Sequence, residues 1–329
     1  MKGMLMKKLL SIVLIPAIIL VIFTGCVRKS DDSSRLQIVC TVFPQYDFLR
    51  NIAGDKTDIK MLVPLGTESH DFKLENLTVA ELKSISCADF VVYVGGESDS
   101  GWINELRSVV TDNGTRWVAM TDLTATLEEI TSESMEHEHE EHEHDDEHEH
   151  DGGDSYDEHV WTSPKRAVEI VEGLTDVLCE LDFSNAVYYR ANSAEYINEL
   201  KSLDERMTVA AAASEGKKLI FGDRFPFRYL CADYGIDFDA AFPGCSVTAD
   251  PSVAQITSLT RCAGETGAKV IFYMENSKPI YAESIAKAVG AKAMQLHSCH
   301  TLSRSELDSG ENYFSIMSDN IDKIAEAFS

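Results

Sequence analysis

The chain is poor in positive charge: 29 Lys and Arg stand against 55 Asp and Glu, leaving a net charge of −26. Such a balance gives no footprint for nucleic-acid phosphates and repels anionic headgroups. It excludes a nucleic-acid binder and a surface held to a membrane by its own charge. Just over half of the excess is local, because residues 133–158 hold fourteen Asp or Glu and no Lys or Arg. No CxxC pair occurs among the eight cysteines, which removes a zinc ribbon. Neither HExxH nor GxSxG occurs, so the commonest zinc-peptidase and serine-hydrolase signatures are missing. Long apolar runs are missing too. The N-terminal one, Leu9 to Phe23, has about 15 residues, short of the roughly 20 that a membrane span needs.

That run follows Lys2, Lys7 and Lys8 and ends in Phe23-Thr24-Gly25-Cys26. A charged start, a short apolar stretch and small residues mark a secretory signal, here residues 1–25. Small residues directly before a cysteine resemble a bacterial lipobox, with Phe23 where leucine is more usual. Cys26 is then the expected lipidation site and mature N-terminus. Residues 26–35 (CVRKSDDSSR) are polar and turn-rich and read as a lipid-anchored tether. The protein is therefore expected to be extracytoplasmic, held to the bacterial cell membrane through lipid on Cys26.

The remaining cysteines, Cys40, Cys87, Cys179, Cys231, Cys245, Cys262 and Cys299, are odd in number. An exported chain with that count keeps at least one free thiol or an intermolecular bond. Most stand in apolar surroundings, as in SISCADFVVYV and DVLCEL, and read as small buried hydrophobes. Cys245 and Cys299 stand in loop-like sequence, FPGCS and LHSCHT, and form the candidate disulfide pair.

About 300 residues remain after the signal, more than one core usually holds, which suggests two lobes. From Leu36 the chain alternates short β-branched runs with amphipathic stretches, the pattern of parallel βα units. Residues 36–184 read as an N-terminal α/β lobe, interrupted by an acidic, histidine-rich loop over residues 131–156. Residues 185–213 contain no Gly or Pro and predict one long rigid helix between lobes. Residues 214–329 resume the alternation as a C-terminal α/β lobe. Two lobes with mainly parallel sheets bind ligands at the carboxyl ends of their strands, which places the expected site in the interlobe cleft.

Histidine is concentrated. Of ten, six lie in the acidic tract: His137, His139, His142, His144, His148 and His150. The other four, His70, His159, His297 and His300, stand in loop sequence beside predicted strands or helices, where functional side chains gather. The segments around them resemble a known family. Val63-Pro-Leu-Gly-Thr-Glu-Ser-His-Asp-Phe-Lys-Leu-Glu75 is similar to the PxGxxPHxYE motif of cluster A solute-binding proteins, which feed zinc or manganese to ABC importers. Ala88-Asp-Phe-Val-Val-Tyr-Val-Gly-Gly-Glu97 with Trp102 resembles that family's ADLVVYNGxGLExW. Asp157-Glu-His-Val-Trp-Thr-Ser-Pro164 resembles its DPHxWLxP, and Tyr189-Arg-Ala-Asn192 the YxxN of its interlobe helix. The resemblance runs from about Leu36 to Ala327.

The resemblance implies metal-binding histidines at His70 and His159. Where the family has HxAFxYxxxxYG, this chain has Arg224-Phe-Pro-Phe-Arg-Tyr-Leu-Cys-Ala-Asp-Tyr-Gly235, so the usual third histidine is an arginine, which cannot ligate a cation. Asp223 is a substitute oxygen ligand, or else a helix cap or the partner of Arg224. The family's late-loop carboxylate corresponds to His297. The expected set is His70, His159 and His297, completed by His300, Asp223 or water. Six histidines among carboxylates cannot build a core and read as a disordered auxiliary metal-gathering loop.

The implied function is capture of Zn2+ as transported ligand and delivery to an ABC permease and its ATPase by a monomeric, non-enzymatic protein. Imidazole ligands favour zinc over manganese. The alternatives are a Mn2+ protein of the same family, a surface adhesin or metal buffer, and a zinc hydrolase, which would need a carboxylate base beside an open metal position.

Overall fold

The structure, a computed structural model, describes residues 35–67, 70, 72–110, 114–135, 156–244 and 250–329. The signal sequence, Cys26, the six tract histidines (His137, His139, His142, His144, His148 and His150) and Cys245 lie outside the described residues.

Strands β1 (Leu36–Cys40), β2 (Thr57–Met61), β3 (Phe90–Tyr93) and β4 (Arg116–Ala119) form a sheet in the order β2-β1-β3-β4. Strands β5 (Lys218–Phe225), β6 (Asp237–Pro243), β7 (Val270–Tyr273) and β8 (Lys292–Gln295) form a second sheet in the equivalent order β6-β5-β7-β8. Every pairing is parallel, so each strand needs a crossover to reach the next. Helices α1 (Phe43–Ala53), α2 (Val79–Ser86) and α3 (Glu97–Val109) provide those of the first sheet. The two long helices α4 (Pro164–Leu181) and α5 (Ala186–Ala211) lie between the halves in sequence. The second sheet is crossed by α6 (Arg228–Tyr234), α7 (Val253–Glu265) and α8 (Ile280–Val289), and α9 (Arg304–Ser309) and α10 (Tyr313–Phe328) close the chain. The expected two-lobed parallel α/β architecture is what forms.

Local chemistry explains the boundaries. At the start of α2, the Thr78 hydroxyl accepts from Glu81 N (3.2 Å) while the Glu81 carboxylate accepts from Thr78 N (2.8 Å), a reciprocal cap. Helix α1 begins at Phe43 with Pro44 in its first turn, where a missing N–H costs nothing. The six-residue α9 carries too little apolar periodicity to be read from sequence.

Helix α5 spans 26 residues, about 39 Å at 1.5 Å per residue. Its buried residues Tyr189, Ser193, Tyr196, Leu200, Leu203, Met207 and Ala210 recur at alternating steps of four and three, one continuous stripe. The stripe lies against α4, α10 and α1. One apolar cluster continues from Ile38 and Phe90 in the first lobe to Phe221, Phe272 and Ile324 in the second. Polar ties cross between the lobes as well. Arg166 on α4 donates to both oxygens of Asp233 on α6 (2.9 and 2.8 Å), and Ser163 Oγ donates to the same carboxylate (2.7 Å). Trp161 Nε1 donates to Ser298 O (2.8 Å), and Tyr313 OH donates to Trp161 O (2.6 Å). A shared core with paired polar groups fixes the lobes against each other.

Two cysteine expectations are overturned. Cys299 is a free, fully buried thiol inside the shared apolar cluster, so it does not bond to Cys245; that loop turns inward where its polar sequence suggested a surface. Cys87, read as a buried hydrophobe, is disulfide-bonded. Cys40, Cys179, Cys231 and Cys262 are buried free thiols. No helix among the described residues is long and apolar enough to cross a membrane.

Candidate metal centre

The cavity between the lobes is built where parallel sheets present their strand ends. The loop after β2 carries His70; β5 ends near Arg224; β6 is followed by Gly244, β7 by Glu275, and β8 by Ser298 and His300. His159 enters from the segment leading into α4. All of these line one cavity. Strand carboxyl ends in open α/β sheets are where ligands bind.

His70, His159 and His300 converge, each offering one nitrogen, with all three atoms within 4.8 Å of one another. Their ring centroids are 5.3 to 5.7 Å apart. His159 is held tightly: its backbone N donates to Asp157 Oδ1 (2.8 Å), and its Nδ1 lies 3.2 Å from the same oxygen. An Nδ1–H directed at a carboxylate fixes the tautomer and leaves Nε2 as the lone-pair donor. The Glu158 carboxylate lies 3.5 Å from His70 Nδ1 and is fully buried, a second carboxylate behind a histidine. His300 depends on a relay: its N–H donates to Ser298 Oγ (3.2 Å), and Ser298 N donates to Glu275 (2.8 Å).

Position sets the protonation of the trio. Burial, followed by the charges of His159 and Arg224, holds His70 down to about 3, so its ring is neutral at neutral pH. Burial, then His70, His159 and Arg224, likewise holds His300 well below the imidazole range. Burial pushes His159 down as well, but the Asp157 charge and hydrogen bond, with Glu158 and Glu129 behind them, raise it overall. Neutral imidazole is the form that ligates a metal.

The sequence-expected set is partly rearranged. His70 and His159 come together as expected, but the third corner is His300, not His297. Cys299 sits at φ +62°, so the chain turns left-handed between the two histidines. His297 Nδ1 accepts from Cys299 N (2.9 Å), its backbone N donates to Asn320 (3.0 Å), and its ring lies between Glu275 and Glu306 (3.7 and 3.6 Å). Asp223 also stays out of the trio: Oδ1 accepts from Arg224 N (2.8 Å) and Oδ2 from Met274 N (3.0 Å), which ties β5 to the end of β7. Asp157 and Glu158, adjacent to His159 in the Asp-Glu-His triplet, were legible in sequence but not assigned. Glu275 and Gly244 carried no signal. A Cβ on Gly244 would lie 2.9 Å from Phe225 O and 3.2 Å from His159 Cε1, so only glycine lets the backbone approach this ring.

A trio of buried histidines backed by carboxylates, in a cleft between two parallel-sheet lobes, leads to the family. The model of the ZnuA family, zinc-uptake complex component A, periplasmic, matches residues 38–327. The chain belongs to the ZnuA family. It is 31% identical over 302 residues to the high-affinity zinc uptake system protein ZnuA of Bacillus subtilis, covering 91% of this chain and 90% of that one. It is 29% identical to the zinc-binding protein AdcA of Streptococcus pyogenes, covering 88% of this chain but 55% of that one, so it spans about half the length of the streptococcal relatives it matches. The Zn(II)-bound ZnuA-like domain of Streptococcus pneumoniae AdcA is similar in structure, with TM-score 0.71, 27% identity, and 90% of this chain and 99% of that one covered. The family description is that of a component of a zinc-uptake complex, not of a hydrolase.

Proposed function

We propose that this chain captures one Zn2+ between its lobes, through His70, His159 and His300, and delivers it to an ABC permease for import. The observation that carries this reading is the convergence of three imidazole nitrogens within 4.8 Å. Zn–N bonds of about 2.05 Å in a tetrahedron put ligand nitrogens about 3.3 Å apart, so a modest inward shift of the loops closes the site on the ion. An all-nitrogen trio suits zinc better than manganese, which prefers oxygen. Relatives named for zinc binding and zinc uptake support the same ion.

The remaining parts of the reading follow from sequence. Residues 1–25 direct export, Cys26 carries the lipid, and residues 26–35 tether a monomeric two-lobed body to the membrane. His137, His139, His142, His144, His148 and His150 gather zinc without forming the transported site. Metal-dependent loop positions are what the permease reads, since the interlobe ties leave little room for a wide hinge.

Zinc stoichiometry and affinity by chelator competition test this reading, on the wild type, on a chain lacking residues 135–156, and on His70→Ala, His159→Ala, His300→Ala and His297→Ala. One tight site that survives deletion of the tract and is lost with each of the trio is the expected result. Loss of tight binding with the tract alone would instead make the tract the binding element and the protein a metal buffer.

A further inference from the structure

Two hydrogen bonds flank His300 and stitch its loop to the first lobe. On one side Ser298 O accepts from Trp161 Nε1 (2.8 Å), in the segment that carries His159. On the other side Thr301 Oγ1 accepts from Gly66 N (2.9 Å), in the loop that carries His70. The corner supplied by the second lobe is thus tied to both corners supplied by the first.

The two ties differ in their surroundings. Trp161 and Ser298 are buried, and the His159 ring beside them is held by Asp157 as well. The His70 loop lies closer to solvent: Pro64 and Gly66 are exposed, and His70 is the least buried of the three histidines. Thr67 N donates to Pro64 O (3.1 Å) and Gly66 sits at φ +74°, a type II turn whose third residue needs glycine. That turn sets the direction of Gly66 N. The acceptor it meets is buried, since Thr301 is 3% exposed.

We propose, resting on the zinc reading of this trio, that Thr301 is a positioning residue that latches the His70 loop onto the His300 loop before the ion arrives. Among the described residues that line the cavity Thr301 is absent, so it acts through the loop and not on the metal. A ligand loop docked in only a fraction of molecules lowers the apparent affinity by that fraction. Removing a hydrogen bond that holds the docked form shifts docking about 2- to 10-fold, which bounds the loss of affinity. The His159 segment is fixed by burial and needs no such latch.

The test uses the full chain and Zn2+, with affinity by chelator competition and loop docking by hydrogen exchange of the metal-free protein over residues 62–70. Thr301→Val removes the acceptor at nearly constant size. It should weaken zinc about 2- to 10-fold and speed exchange over residues 62–70 by a similar factor, while exchange around His159 stays as in the wild type. Thr301→Ser, which keeps a hydroxyl, should recover both. Thermal melts check folding, and Thr301→Ala supplies the same deletion if valine disturbs the fold. Wild-type affinity in a folded Thr301→Val protein would overturn the proposal. So would weakened zinc with unchanged exchange over residues 62–70, which would place the effect in the His300 loop itself, or a serine variant no better than valine. His70→Ala is the separate control: unchanged tight binding in that variant sinks the zinc site itself, whatever Thr301 does.

Discussion

At the scale of single residues, the third corner of the trio is the sharpest claim. His300→Ala should weaken zinc by more than the roughly 10- to 100-fold that loss of a supporting partner costs. His297→Ala should stay well below that, because its ring is engaged by Cys299 N and lies between two glutamates outside the trio. Chelator competition separates the two, and equal losses would restore His297 to the site. Asp157→Asn is the matching test of support, with an expected loss of about 10- to 100-fold. It also has a pH signature. The proton that His159 holds above its ordinary range must leave when zinc binds. Affinity should therefore fall about tenfold per pH unit below that raised value, and in Asp157→Asn the fall should begin at lower pH. Titrations between pH 8 and 5.5 would reveal a break that does not move, and with it a wrong cause.

At the scale of elements, the wall of the cavity and the strut between the lobes fail in different ways. Gly244→Ala pushes a methyl group against Phe225 O and the His159 ring. Overpacking of this kind costs about 1–3 kcal/mol, and here it should appear in zinc affinity as well as in stability. Leu200 is fully buried in the stripe of α5, so Leu200→Ala should cost about 2–5 kcal/mol in urea denaturation while leaving the trio assembled. A Gly244→Ala protein that binds zinc normally would show that β6 can yield without moving His159.

For the whole molecule, the proposed ligation from both lobes would couple binding to folding. His70 and His159 come from the first half of the chain and His300 from the loop after β8, so zinc held by this trio would stabilise only the assembled state. Free zinc at 100 times its dissociation constant should add about 2.7 kcal/mol, seen as a rise in melting temperature that His300→Ala removes. If melting of the wild type ignores zinc, the ion is held by a segment that does not bridge the lobes.

The amino-acid sequence by itself determined the alternation of strands and helices, the long interlobe helix and two of the three corner histidines, because local periodicity, caps and loop motifs are written in consecutive residues. Only the tertiary structure decided which of two histidines three positions apart completes the trio. That choice depends on a left-handed turn at Cys299 and on Asn320 of α10 accepting from His297 N, a contact 23 residues along the chain that no spacing rule encodes. The same holds for Cys299, which lies in polar sequence but is buried in the core shared by both lobes. Burial is set by what the rest of the chain places over a residue, and neighbours in sequence do not report it.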